Sequence, residues 1–140
     1  MTDSVNFHFD IDGENCTSAG EASVRIKKVL REMGFSAEVI RRVSVAMYEG
    51  EINMVIHANG GSADVNVYCD KIDIILADNG PGIENIELAM QEGFSTAPDN
   101  IRSLGFGAGM GLPNMKKYTD DMRIESELGK GTTIYMTVNV

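Results

Sequence analysis

With 140 residues and 43% hydrophobic content, the chain has material for one hydrophobic core but not two, so residues 1–140 are read as a single domain. Twelve basic residues against twenty-one acidic ones leave a net charge of −9, which excludes nucleic acid as a partner, because phosphates are held by a lysine and arginine surface, and favours a basic target protein. The start, Met1-Thr2-Asp3-Ser4, has no basic flank leading into an apolar run, and nothing later approaches the roughly 20 apolar residues that cross a bilayer, so the expectation is a cytoplasmic protein with no membrane partner. Cys16 and Cys69 lie far apart and outside any metal-ligand spacing, and read as two reduced, partly buried thiols.

In chain order, Val5 to Ile11 alternates apolar and polar side chains as a half-buried edge or first strand does, and Asp12-Gly13 closes it with a turn. From Ser18 to Met33, Ala22, Ile26, Val29, Leu30 and Met33 recur at three- and four-residue steps. Ser18 followed by Glu21 resembles a capping box, and Gly34 stops this amphipathic helix. A second, long and mostly buried helix starts near Ser36 and runs through Val39, Ile40, Val43, Ala46, Met47, Ile52, Val55 and Ile56 to Asn59-Gly60-Gly61.

The period then falls to two. Val65, Val67 and Tyr68 begin a strand, Asp70-Lys71 turns, and Ile72 to Ala77 forms a nearly all-apolar strand expected at the sheet centre, with Asp78 at its exit. A short helix follows around Ile86 to Gln91. The polar stretch from Gly93 to Gly109 is long enough to suggest a lid. Leu112 to Tyr118 reads as a helix, and Met122 to Leu128 with Thr132 to Val140 as a closing hairpin turned by Gly129-Lys130-Gly131. The layout is α+β, a two-layer α/β sandwich with helices on one face of a mixed, mostly antiparallel sheet.

Four segments carry chemistry. Glu49 and Asn53 are one helical turn apart and project from one face, where a carboxylate can hold a water and a carboxamide oxygen a magnesium ion; a solvated Glu beside a surface Asn gives the same spacing. Glu51 and His57 share that helix and read as an exposed charge and a helix-end histidine satisfying backbone carbonyls. Asp78 follows a wholly apolar strand, where a carboxylate needs a specific hydrogen-bond donor such as the exocyclic amine of adenine. Gly80 and Gly82 would let the backbone approach that ligand, although Asp78-Asn79-Gly80-Pro81-Gly82 is also an ordinary turn. Gly105, Gly107, Gly109 and Gly111, four glycines in seven residues, carry an entropic cost that exposed amides cradling a triphosphate would offset. They do not fit the dinucleotide spacing. Gly129-Lys130-Gly131-Thr132 is not a Walker loop, and it reads first as a hairpin turn.

Taken in order, these segments resemble the GHKL ATPase superfamily, and within it the small bacterial anti-sigma factor serine/threonine kinases and their switch-protein relatives. The resemblance runs from the first strand to the final hairpin. It implies that Glu49 to Asn53 is the N box, with Glu49 the general base and Asn53 the ligand of Mg2+. It further implies that Asp78 reads adenine in a pocket shaped by Gly80 and Gly82, and that Thr132 or Thr133 lies near the base. The phosphates of ATP would sit against Gly105, Gly107, Gly109, Met110, Gly111 and Leu112. The segment Gly107 to Pro113 is more similar to the switch-kinase branch than to the sigma-binding branch. Two departures stand out: Gly50 and Glu51 replace residues more often small or apolar in the family, and no dimerisation helix pair carries a phospho-acceptor histidine. His8 and His57 lie elsewhere, so a complete histidine kinase is excluded.

The resemblance implies an ATP-dependent kinase that phosphorylates a serine or threonine of an antagonist-type regulatory protein; position alone, and not the resemblance, makes Arg102 or Lys116 a candidate to contact the γ-phosphate from the lid. The alternative is a non-catalytic module in which ATP gates binding to a sigma factor or other regulator. Retention of Glu49 separates them, since a pure binding module needs no base. Whether the chain forms a homodimer through its first strand and helix is left open.

Overall fold

The computed structural model describes residues 4–13, 20–58, 60–83, 85–91 and 111–140. Their elements are β1 (Val5–Asp12), α1 (Glu21–Glu32), α2 (Ala37–Ala58), β2 (Gly60–Val67), β3 (Lys71–Asp78), α3 (Ile86–Ala89), α4 (Gly111–Lys117), β4 (Asp121–Glu127) and β5 (Gly131–Asn139). The strands form one sheet in the order β1-β2-β3-β5-β4. All four pairings are antiparallel, so among the described residues no parallel pair enters the sheet.

The apolar strand from Lys71 is central, as its composition predicts. Ile72, Ile74 and Leu76 of β3 are buried on one face, flanked by Ala63, Val65 and Val67 of β2 and Ile134, Met136 and Val138 of β5. Two-residue alternation sends the other half of each strand to the open face, where Thr137 Oγ1 donates to Asp73 Oδ1 and Arg123 stacks 4.3 Å from the Tyr135 ring centroid. β1 is an edge strand, with Phe7, Phe9 and Ile11 packed on the core and His8 outward between Asp64 and Asp10.

The helices cover the apolar face. Ala22, Ile26 and Leu30 of α1 and Val43, Ala46 and Met47 of α2 are buried together, each full-sized side chain contributing about 1.5–3 kcal/mol by leaving water. α1 begins at Glu21, three residues later than the predicted start; Ser18 lies outside the described residues. It ends as expected, with the amides of Gly34 and Phe35 returning to Arg31 and Leu30 carbonyls. Ser36 caps α2 by accepting from the Val39 amide at 3.2 Å.

α4 runs antiparallel along α2. Its far end is latched, because Arg42 donates to the Tyr118 carbonyl at 3.2 Å and pairs with Asp120 at 2.7 Å, while the Arg41 guanidinium lies 5.2 Å from the Tyr118 ring centroid. The Asn139 amide and Arg42 together hold the Asp120 carboxyl below the usual carboxylate range. Leu112 and Met115 plug α4 into the core. Pro113 sits in the first turn, where a missing N–H is tolerated.

Candidate functional site

The middle of α2 faces α4 with two polar residues. Asn114 Nδ2 donates to Glu49 Oε1 at 3.2 Å. One turn on, a Cβ on Gly111 would come within 2.9 Å of both the oxygen and the nitrogen of the Asn53 carboxamide, so only glycine lets α4 begin this close to Asn53. Gly111 against Asn53, Asn114 against Glu49, and Tyr118 against Arg41 and Arg42 define the register of the helix pair. Glu49 and Asn53 are half-buried partners of α4, not a solvated helix pair.

Glu51 corrects the expectation of an exposed charge. It is 1% exposed. One carboxylate oxygen accepts from the Gly20 and Ala22 amides at 2.6 and 3.3 Å, and the other from the Ser23 amide at 2.6 Å. Glu51 therefore caps the first turn of α1 from a different helix, in place of the predicted Ser18–Glu21 box. Burial pushes its carboxyl up, and the amides of Ser23, Gly20 and Ala22 oppose that shift. His57 is half-buried in the last turn of α2, and burial lowers its imidazole pKa.

The second wall is the exit of β3. Asp78 Oδ1 accepts from the Gly80 amide at 2.9 Å and the Thr132 amide at 3.2 Å. Both bonds fall on one oxygen, which orients the carboxylate and leaves Oδ2 outside these two bonds. Gly80 packs against Ala58 at the end of α2, and Gly82 against the Glu127 carbonyl of the closing hairpin. Ser126 ties this turn down, accepting from the Ile83 amide at 2.8 Å and sharing a 2.8 Å hydrogen bond with the Thr132 hydroxyl. A Cβ on Gly61 would meet both Met54 Sδ of α2 and Asp78 Cβ, so glycine here lets the exit of β3 lie close to the second half of α2.

Not every expected site residue gathers here. Thr132 does, but Thr133 lies across from Ala77 with its side chain on the open face of the sheet, because strand alternation sends neighbouring residues to opposite sides. The Leu112 side chain is core, leaving only its backbone near the α2 contact. Lys116 is exposed on α4. Gly105, Gly107, Gly109, Met110 and Arg102, with the expected lid, lie outside the described residues, as does Cys16. Cys69 is free and exposed, not partly buried. A cleft of about 290 Å³ lies between β1 and the start of α1, where Asp10, Asp12, Glu21 and Glu51 outnumber Arg25 and His8, a balance unsuited to a triphosphate. Asn114, Ser126 and the capping role of Glu51 escape sequence reasoning. The one signal available was the run of buried apolar neighbours around Glu51.

Residues 14–138 match the family model of the histidine kinase-like ATPase domain. The chain belongs to that family. Within this ATPase family, an anti-sigma F factor of Clostridium acetobutylicum is 36% identical over 120 residues, covering 82% of this chain and 80% of the relative. The serine/threonine-protein kinase RsbT of Bacillus subtilis is 32% identical over 112 residues, covering 77% and 78%. Relatives of both kinds thus match at similar identity. Among solved structures, the RsbU and RsbW domains of Rv1364c from Mycobacterium tuberculosis superpose with a TM-score of 0.65 at 18% identity, over 96% of this chain and 32% of that one. The mycobacterial sensor histidine kinase MprB gives 0.55 at 18% identity, over 96% and 97%. These two likenesses show the fold alone. No described helix is long and apolar enough to cross a membrane.

Proposed function

We propose that this chain binds ATP with magnesium and transfers the γ-phosphoryl group to a serine or threonine hydroxyl of a small regulatory partner protein, an antagonist within a partner-switching pathway of the cytoplasm. The observation that carries the reading is that Glu49 and Asn53 both meet α4 while the Asp78 carboxylate at the exit of β3 is held through one oxygen by the Gly80 and Thr132 amides. Membership of the ATPase family and the likeness to a serine/threonine kinase support it.

The residues fit the ligand. A carboxamide oxygen is a hard donor of the kind magnesium takes, so Asn53 would hold the ion by one protein oxygen, with phosphates and water completing its shell. Bound magnesium would neutralise charge building on the phosphates. Asp78 Oδ2 would accept from the exocyclic amine of adenine, and the glycine segment ending at Gly111 would present its amides to the phosphates. Glu49 would take the proton of the attacking hydroxyl. The hydroxyl oxygen then bonds to the γ-phosphorus as the bond to the β,γ-bridging oxygen breaks, and ADP leaves.

Titration calorimetry with ATP, with and without magnesium, tests the binding half: Asp78→Asn weakens nucleotide binding in both conditions, Asn53→Ala only when magnesium is present. Transfer of labelled γ-phosphate to candidate partner proteins tests the other half. Glu49→Ala should bind ATP like the wild type and transfer at least about 100-fold more slowly. Binding without transfer by the wild type would make the chain an ATP-gated interaction module, and absence of binding would end the nucleotide reading.

A further inference from the structure

We propose that Asn114 is a positioning residue for Glu49, fixing one oxygen of the carboxylate so that the other meets the reacting hydroxyl. This rests on the reading of Glu49 as the base. The two residues are 65 positions apart in sequence and meet only because α4 lies antiparallel on α2, with Asn114 Nδ2 3.2 Å from Glu49 Oε1. The carboxamide can be oriented only this way, since its oxygen turned toward a carboxylate would be repelled.

The chemistry of the partner matters. A glutamate on a helix surface exchanges among rotamers of three torsions, and a base must sit within hydrogen-bond reach of the proton it takes. A lysine or arginine at 114 would also orient Glu49, but its charge would stabilise the carboxylate strongly and blunt it as a proton acceptor. An asparagine donates without charge. It occupies Oε1 and leaves Oε2 uncommitted to this bond.

The donor is itself held. Gly111 seats the start of α4 on Asn53, Leu112 and Met115 anchor it in the core, and Arg41 and Arg42 grip Tyr118 and Asp120 at its end. α4 therefore touches both polar residues of α2 through one rigid body, and any tilt of α4 would move the base and the magnesium ligand together. Among the described residues, Asn114 is the hydrogen-bond donor to Glu49.

The test is single-turnover release of labelled phosphate from magnesium-ATP to water or to the partner protein, with ATP affinity measured in parallel. Asn114→Ala should slow the step about 10-fold while leaving ATP affinity within about twofold, a split that loss of packing would not produce. Asn114→Asp has the same shape, yet should slow it about 100-fold, because a second carboxylate drives Glu49 out of place. In a Glu49→Ala background neither substitution should cost anything further. Wild-type rates in both variants, or losses that persist in full without Glu49, overturn the proposal while leaving the kinase reading intact. A wild type that binds magnesium-ATP and turns over none of it removes the kinase reading, and the positioning role falls with it.

Discussion

Glu51 is a buried carboxylate whose oxygens are taken up by backbone amides from the first turn of α1. Those amides have no partner within the helix, and Gly20, standing at the N-cap, has no side chain to offer. Removing Glu51 leaves three buried donors unsatisfied, each worth about 1 kcal/mol or more. Glu51→Ala should therefore lower the unfolding free energy by about 2–4 kcal/mol in urea titration, and Glu51→Gln, which keeps one acceptor oxygen, by less. Equal stability of Glu51→Ala and wild type would show that water replaces the carboxylate. The spacing of Glu51 from Glu49 and Asn53 correctly placed it on a different face of α2. What one-dimensional spacing could not supply was the depth of that face, because α1 closes over it.

At the scale of elements, α2 is the member that the sheet, α1 and α4 all pack against, and at Gly50 its backbone lies against Leu76 of the central strand. A Cβ at Gly50 would run into Cδ1 of Leu76, which is 2% exposed and enclosed by β3 and its neighbours. The glycine that looks like a helix weakness worth about 1 kcal/mol is thus the condition for helix and sheet to meet. Gly50→Ala gains that helix propensity and loses about 1–3 kcal/mol to overpacking, a net destabilisation of about 1 kcal/mol. In a Leu76→Val background the colliding methyl is gone, and the same Gly50→Ala change should become stabilising by about 1 kcal/mol. A double-mutant cycle by thermal unfolding reads this reversal of sign, and additivity of the two changes would refute it. Periodicity located this helix and the central strand separately. It could not tell that residue 50 of one would face residue 76 of the other.

Over the whole molecule, the layers and the central place of β3 were legible because they follow from which strands are apolar on one face or both, a property of local pattern. Glu49, Asn53 and Asp78 stood out as candidates because each is a polar residue beside an apolar run. Asn114 and Ser126 did not, because their meaning comes from partners 65 and 43 positions away. Ionisation is another whole-molecule property, since each group's shift depends on what folds over it. His57 is lowered by burial from 6.5, so between its folded value and 6.5 the unfolded chain binds the extra proton, and its contribution to stability is present above 6.5 and lost as the pH falls through the folded value. His8 is raised, through its hydrogen bonds to Asp64 and Asp10, and acts in the opposite sense from an exposed edge strand. Glu51, raised by burial, contributes stability that is full below 4.5 and lost as the pH rises through its folded value. Asp120, lowered, contributes above 3.8 and loses it toward acid. Between pH 8 and the folded value of His57, that histidine is the group that destabilises the protein on acidification. On acidification through this window the wild type should lose stability relative to His57→Gln, read from their urea midpoints, because the variant lacks the lowered group and keeps the raised groups His8 and Glu51. Parallel curves for the two proteins would mean that the His57 ring meets water in the folded state.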